Sequence, residues 1–267
     1  MLIGGHDFAQ AHVFIQTLAL TQPRVLALLA MLPLFERQLL PGLLRYGVGA
    51  ALGLVLVPML APRYSALDLG TVDLLLLIVK EVFVGLVMGF LVAIPFWIFE
   101  AVGFVVDNQR GASLGAVINP ATGNDSSPLG ILFNQAFMVF FLVGGGFMLM
   151  LTMLYDSFRL WSPWDWAPVL RAESIPLMLD QLSRFARLVL LFVAPALVAM
   201  FLAELGLALV SRFVPQLQVF FLAMPIKSAL ALLVLVLYMG TLFENAGETV
   251  RAIDRILPFL DDQWRSP

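Results

Sequence analysis

Residues 126–155 read Ser126-Ser127-Pro128-Leu129-Gly130-Ile131-Leu132-Phe133-Asn134-Gln135-Ala136-Phe137-Met138-Val139-Phe140-Phe141-Leu142-Val143-Gly144-Gly145-Gly146-Phe147-Met148-Leu149-Met150-Leu151-Thr152-Met153-Leu154-Tyr155, thirty residues without a charge. About 20 apolar residues suffice for a helix to cross the ~30 Å hydrocarbon core of a bilayer. This stretch is therefore long enough to span, with Gly144, Gly145 and Gly146 as a break inside it. The rest of the chain is of the same kind. Of 267 residues, 61% are hydrophobic and 12% are charged. A soluble domain carries about 25% charged residues, so the composition points to an integral membrane protein.

Working outward, apolar segments fall at 12–35, 43–61, 72–106, 129–154, 185–210 and 226–243. The expected fold is all-α: about six long, partly bent helices arranged as hairpins in one membrane-embedded unit, 1–267. Outside 126–155 the longest uncharged runs are 25–35, 46–62, 82–99, 188–203 and 228–243, several of them short for a span. Arg24, Lys80, Glu81, Glu100 and Glu204 interrupt or border these runs. A charge at the bilayer centre costs at least about 2.5–3.5 kcal/mol, so such groups face protein or water. Pro33, Pro58, Pro95 and Pro195 bend their helices. The third segment is longer than one crossing needs, so it must tilt, break near Pro95 or project. Gly49/Gly53 and Gly85/Gly89 are GxxxG pairs, which let helices approach closely. Trp161, Trp164 and Trp166 beside a span read as an interfacial aromatic belt. The tail, 244–267, is mixed in character and suits a short amphipathic helix.

Several functions are excluded or disfavoured. The chain has no Cys, which removes disulfides and thiolate metal sites, and its net charge of -3 gives no footprint for nucleic acid. No Lys or Arg precedes the first apolar run, so a cleaved secretory signal is not expected. Gly111-Ala112-Ser113-Leu114-Gly115 matches a nucleophile elbow, but a helix rather than a strand precedes it. The two histidines, His6 and His12, lie far off in sequence and do not share a helix face. No catalytic residue, metal or cofactor is expected. Lys80 and Glu81 are adjacent and point about 100° apart, so each should find its partner elsewhere. Glu100 and Asp107 share a helix face, as a cation path or proton relay would need. The preferred reading places Asp107 in a loop, in water, with Glu100 facing a neighbouring subunit.

Two connections are unusual. The first is Asp107-Asn108-Gln109-Arg110-Gly111-Ala112-Ser113 followed by Asn119-Pro120-Ala121-Thr122-Gly123-Asn124-Asp125-Ser126-Ser127-Pro128-Leu129-Gly130. Its ends are rich in turn-forming residues, yet 114–118 is apolar, as suits a loop that re-enters a protein cavity. The second, Arg212-Phe213-Val214-Pro215-Gln216-Leu217-Gln218-Val219-Phe220-Phe221-Leu222-Ala223-Met224-Pro225-Ile226-Lys227, has a proline near each end and an apolar centre.

Together, and in this order after the Lys80-Glu81 segment, these stretches resemble the SctT/FliR family of bacterial type III export-apparatus proteins, across roughly residues 10–245. Asn119-Pro120, the Arg110-Gly111 pairing and Tyr155-Asp156-Ser157-Phe158-Arg159-Leu160-Trp161 look more like the secretion-system branch than the flagellar one. The resemblance implies a structural pore subunit of an inner-membrane export gate that passes unfolded proteins. It implies assembly with SctR-like and SctS-like subunits and an SctU-like switch protein. It implies that 107–130 plugs the closed pore, and that 185–243 forms an SctS-like hairpin whose loop holds Arg212, Pro215, Gln216, Phe220, Pro225 and Lys227. Lys80, Glu81, Glu100 and Glu204 then serve assembly. Two rival classes are a stand-alone secondary transporter, which bent helices and buried carboxylates would suit, and an intramembrane enzyme, which lacks a base and ligands.

Overall fold

A computed structural model describes residues 4–36, 40–64, 70–111, 127–164, 166, 174–214 and 219–264. Among the described residues eight α-helices follow one another: α1 Gly4–Met31, α2 Gly42–Tyr64, α3 Thr71–Arg110, α4 Pro128–Val143, α5 Gly146–Leu160, α6 Ser174–Phe213, α7 Val219–Arg251 and α8 Ile256–Trp264. Short 3-10 turns, Pro33–Phe35 and Ala252–Arg255, follow α1 and α7. No strand occurs among the described residues. Among the described residues five helices are long and apolar enough to cross a membrane, and the broken pair α4–α5 makes a sixth candidate. This is the all-α, multi-pass membrane architecture expected from the six apolar segments.

The helix boundaries follow local chemistry. Pro33 supplies no amide hydrogen and opens the 3-10 turn after α1. Ser127 caps α4, with Pro128 in its first turn. Gly145 has φ +80°, a conformation that L side chains rarely adopt, and it separates α4 from α5. Pro95 does not break the third segment: α3 runs 40 residues, about 60 Å at 1.5 Å per residue.

The chain divides into two units: 1–93, 145–175 and 251–267 in the first, 94–144 and 176–250 in the second. In the first unit the GxxxG pairs are close helix crossings. A Cβ on Gly89 would lie 2.8 Å from the Leu28 carbonyl oxygen, and one on Gly85 would overlap the Arg24 carbonyl. Here α3 lies directly on the backbone of α1, and dispersion across the bare glycine face holds the pair. Met150, Leu154 and Phe158 of α5 are buried, as are Leu260 and Trp264 of α8. The Trp161 and Trp264 rings lie 5.1 Å apart. The expected tryptophan belt is thus corrected. Trp161 and Trp164 are buried in the interior and only Trp166, 59% exposed, could face an interface.

The second unit is built on phenylalanine. Phe99 of α3 stacks on Phe137 of α4 at 4.6 Å, and Phe96 meets the same ring edge-on at 4.8 Å. Phe243 of α7 and Phe192 of α6 close around Phe99 at 5.7 and 6.0 Å. Each favourable aromatic pair adds roughly 0.5–1.5 kcal/mol beyond its buried area. On α6 the buried residues Val189, Phe192, Val193, Ala196 and Met200 form one stripe. Other apolar residues of α6, including Leu190, Val198, Phe201 and Leu209, are exposed.

Candidate functional site

The two ends of the 107–130 connection are tied by one carboxylate. Asp107 lies in the last turn of α3 and is 3% exposed. Its Oδ2 accepts from the Ser127 hydroxyl at 2.6 Å and from the Leu129 amide at 2.9 Å. Its Oδ1 accepts from Arg110 Nε at 2.8 Å and Nη2 at 2.6 Å. Ser127 Oγ in turn accepts from the Gly130 amide at 2.8 Å. A negative charge therefore sits on the amide end of α4, where the helix dipole favours it. The expectation of Asp107 in water is wrong. The helix extends to Arg110, which carries Asp107 inward to cap a second helix. One turn and more below, a Cβ on Gly103 would overlap the Leu129 backbone, so α3 and α4 cross in close contact. Glu100 accepts from Asn134 Nδ2 at 2.9 Å and remains partly open. Gly111 follows with φ +85°. Gln109 lies in the last turn of α3. Ser113, Asn119, Pro120, Gly123 and Ser126 lie outside the described residues.

A second polar cluster lies in the first unit. Arg24 of α1 and Glu81 of α3 are both fully buried. They pair through two bonds, Nε to Oε2 at 2.7 Å and Nη2 to Oε1 at 2.8 Å. Arg24 also donates to Ser157 Oγ and to the Trp161 carbonyl, each at 3.0 Å, and its Cζ lies 4.2 Å from the centre of the Phe158 ring. Lys80 donates to Glu81 Oε1 at 2.9 Å and to the carbonyls of Ser162 and Pro163 at 3.1 and 3.2 Å. The sequence argument that Lys80 and Glu81 cannot pair is therefore corrected. The flexible lysine stem curls back to a carboxylate that Arg24 holds in place. Two cations share one carboxylate. The surplus positive charge rests on the carbonyls of Ser162 and Pro163, just past the C-terminal end of α5. Every charged group has hydrogen-bond partners, which is what lets the cluster stay in an apolar surround.

The third charged pair is Lys227 of α7 with Glu204 of α6, at 3.2 Å. Arg212 lies in the last turn of α6 and Pro225 lies inside α7. Pro215 and Gln216 lie outside the described residues, as does the side chain of Phe220. Among the described residues no group of three or more His, Cys, Asp or Glu could hold a metal ion. The clusters fix backbones and helix ends.

Residues 15–253 match a family described as bacterial export proteins, family 1. The chain belongs to this family. Three relatives place it within the family of export proteins. It is 41% identical over 246 residues to Yop proteins translocation protein T of Yersinia pestis, covering 91% of this chain and 93% of the relative. It is 33% identical to secretion system apparatus protein SsaT of Salmonella typhimurium, covering 85% of this chain and 88% of the relative. It is 28% identical to flagellar biosynthetic protein FliR of Bacillus subtilis, covering 82% and 85%. The secretion-system branch is thus nearer than this flagellar relative.

In this export protein the structure adds a residue that sequence reasoning did not select. Arg24 was visible only as a charge inside an apolar run. Its placement at the centre of a four-partner cluster follows from the helices that surround it. The available signal was its cost: a lone guanidinium in an apolar helix demands a carboxylate elsewhere, and Glu81 is one of three in the third segment, with Asp73 and Glu100.

Proposed function

We propose that this chain is a structural subunit of a bacterial type III protein-export gate, embedded in the inner membrane, through which unfolded proteins pass. The observation that carries this reading is the likeness to the Yersinia translocation protein along nearly the whole of both chains. The polar clusters fit a structural role, since they join helices. SctR-like and SctS-like subunits and an SctU-like protein are the proposed partners, with 185–243 as a hairpin resembling the SctS-like subunit. The exposed apolar faces of α6 and α7 suit burial by other subunits.

Within this reading, 107–130 is the closed-state plug. What supports it is the base described above: Asp107 joins the end of α3 to the start of α4, so the residues between them start and finish at one fixed point. Two experiments test the proposal. Tagged protein, expressed with its neighbouring genes and solubilised in mild detergent, should elute with other secretion subunits; a lone chain or homodimer would overturn the export-gate reading. Deleting 112–123 should make the closed pore leak ions in planar bilayers. Conductance equal to wild type in an intact complex would remove the plug.

A further inference from the structure

The α6–α7 pair carries one charge that its own helices only half cover. Glu204 lies nine residues before Phe213, the last residue of α6, so it sits roughly 13 Å into that helix. Lys227 donates to its Oε2 at 3.2 Å. The Lys227 side chain is 12% exposed and that of Glu204 is 51% exposed, so the cation is sheltered and the anion is open. Among the described residues nothing donates to Glu204 Oε1.

The surroundings make this placement costly unless something covers it. Phe201, Leu202, Leu205 and Leu209, all on α6 near Glu204, are exposed. A Cβ on Gly206 would meet nothing within 4 Å, so the face is open and has room for a close neighbour. Lipid tails offer no hydrogen-bond donor. An ionised carboxylate accepts up to about four hydrogen bonds, and one lysine supplies only part of that. The charge is already balanced by Lys227. A second cation would leave a surplus positive charge in an apolar seam, whereas a neutral donor completes the carboxylate without one.

We infer that Glu204 is the recognition point of a helix–helix interface, occupied by an apolar helix of another export subunit that aims an amide or hydroxyl side chain at Glu204 Oε1. The inference rests on the export-gate reading for the identity of that subunit. Asn, Gln, Ser and Thr side chains are the usual polar contacts between helices in membranes.

A photo-crosslinking amino acid placed at Phe201 or Leu205, in cells making the whole apparatus, tests this with Glu204 intact. The expected result is a protein adduct whose crosslinked helix carries Asn, Gln, Ser or Thr within one turn of the attachment point. Glu204→Leu should lower the adduct yield about tenfold, the loss of one good hydrogen bond, and Glu204→Gln, which keeps an acceptor oxygen, should lower it less. Adducts to lipid alone overturn the inference, as does a partner helix with Lys or Arg, or with no polar residue, at that point. Should Glu204→Leu fail to accumulate, the adduct map of the Glu204 protein decides by itself. No protein adduct with Glu204 intact, while the chain still co-purifies with secretion subunits, sinks the interface and leaves the export reading standing. An adduct to a donor-bearing helix of a protein outside the secretion apparatus does the reverse.

Discussion

At the scale of single residues, Arg24, Glu81 and Lys80 are unequal partners. Removing Glu81 leaves the fully buried Arg24 without its carboxylate, whereas removing Arg24 leaves Glu81 still paired with Lys80. Breaking a buried pair by deleting one member costs about 3–5 kcal/mol. Glu81→Leu should therefore destabilise the protein by that amount, and Arg24→Leu by less, as read from thermal unfolding in detergent. Equal losses would mean that Lys80 does not compensate. Asp107 is tested by a different observable. Asp107→Ala removes the acceptor from the Leu129 amide, and a hydrogen bond to a charged group contributes about 1.5–3 kcal/mol. Hydrogen exchange at the first turn of α4 should speed up by roughly ten- to a hundredfold. Unchanged exchange there would show that Ser127 caps the helix unaided.

At the scale of elements, the glycines divide by what they touch. Gly85 lies against the Arg24 backbone, while Gly47 has nothing near it. Gly85→Ala should push α3 off α1 at a cost of about 1–3 kcal/mol. Gly47→Ala, in the interior of α2 and unopposed, should stabilise by up to about 1 kcal/mol. A tryptophan-scanning or thermal-shift series on purified protein separates the two, and similar shifts at both positions would argue against the α1–α3 contact. The GxxxG spacing was legible in the sequence. Which helix each pair faces was not, because the motif states only that some backbone comes near.

At the scale of the molecule, the last described helix packs back into the first unit. Trp264, 2% exposed, packs on Trp161 at 5.1 Å and on Phe83 at 6.4 Å, within the first unit. Truncation after Arg251 should expose Trp161 and lower the yield of monodisperse protein on size exclusion in detergent. A normal profile would show the last helix to be dispensable. The sequence indicated an amphipathic tail but gave no docking site, since a nine-residue helix carries too few positions to identify its partner surface.

The sequence alone determined the membrane class, the six apolar segments and the break at Gly144–Gly146. It also carried the loop motifs that pointed to the export family. These are local or compositional properties, and lipid imposes them residue by residue. Tertiary structure alone decided how the charges are satisfied. The Arg24 bonds span separations of 57, 133 and 137 residues, and Asp107 reaches 20 and 22 residues along the chain to cap α4. A pattern of spacings can say that a buried charge needs a partner. Only the packing of α1, α3 and α5, and of α3 on α4, chooses which one, because the choice is made by distances that no local periodicity contains.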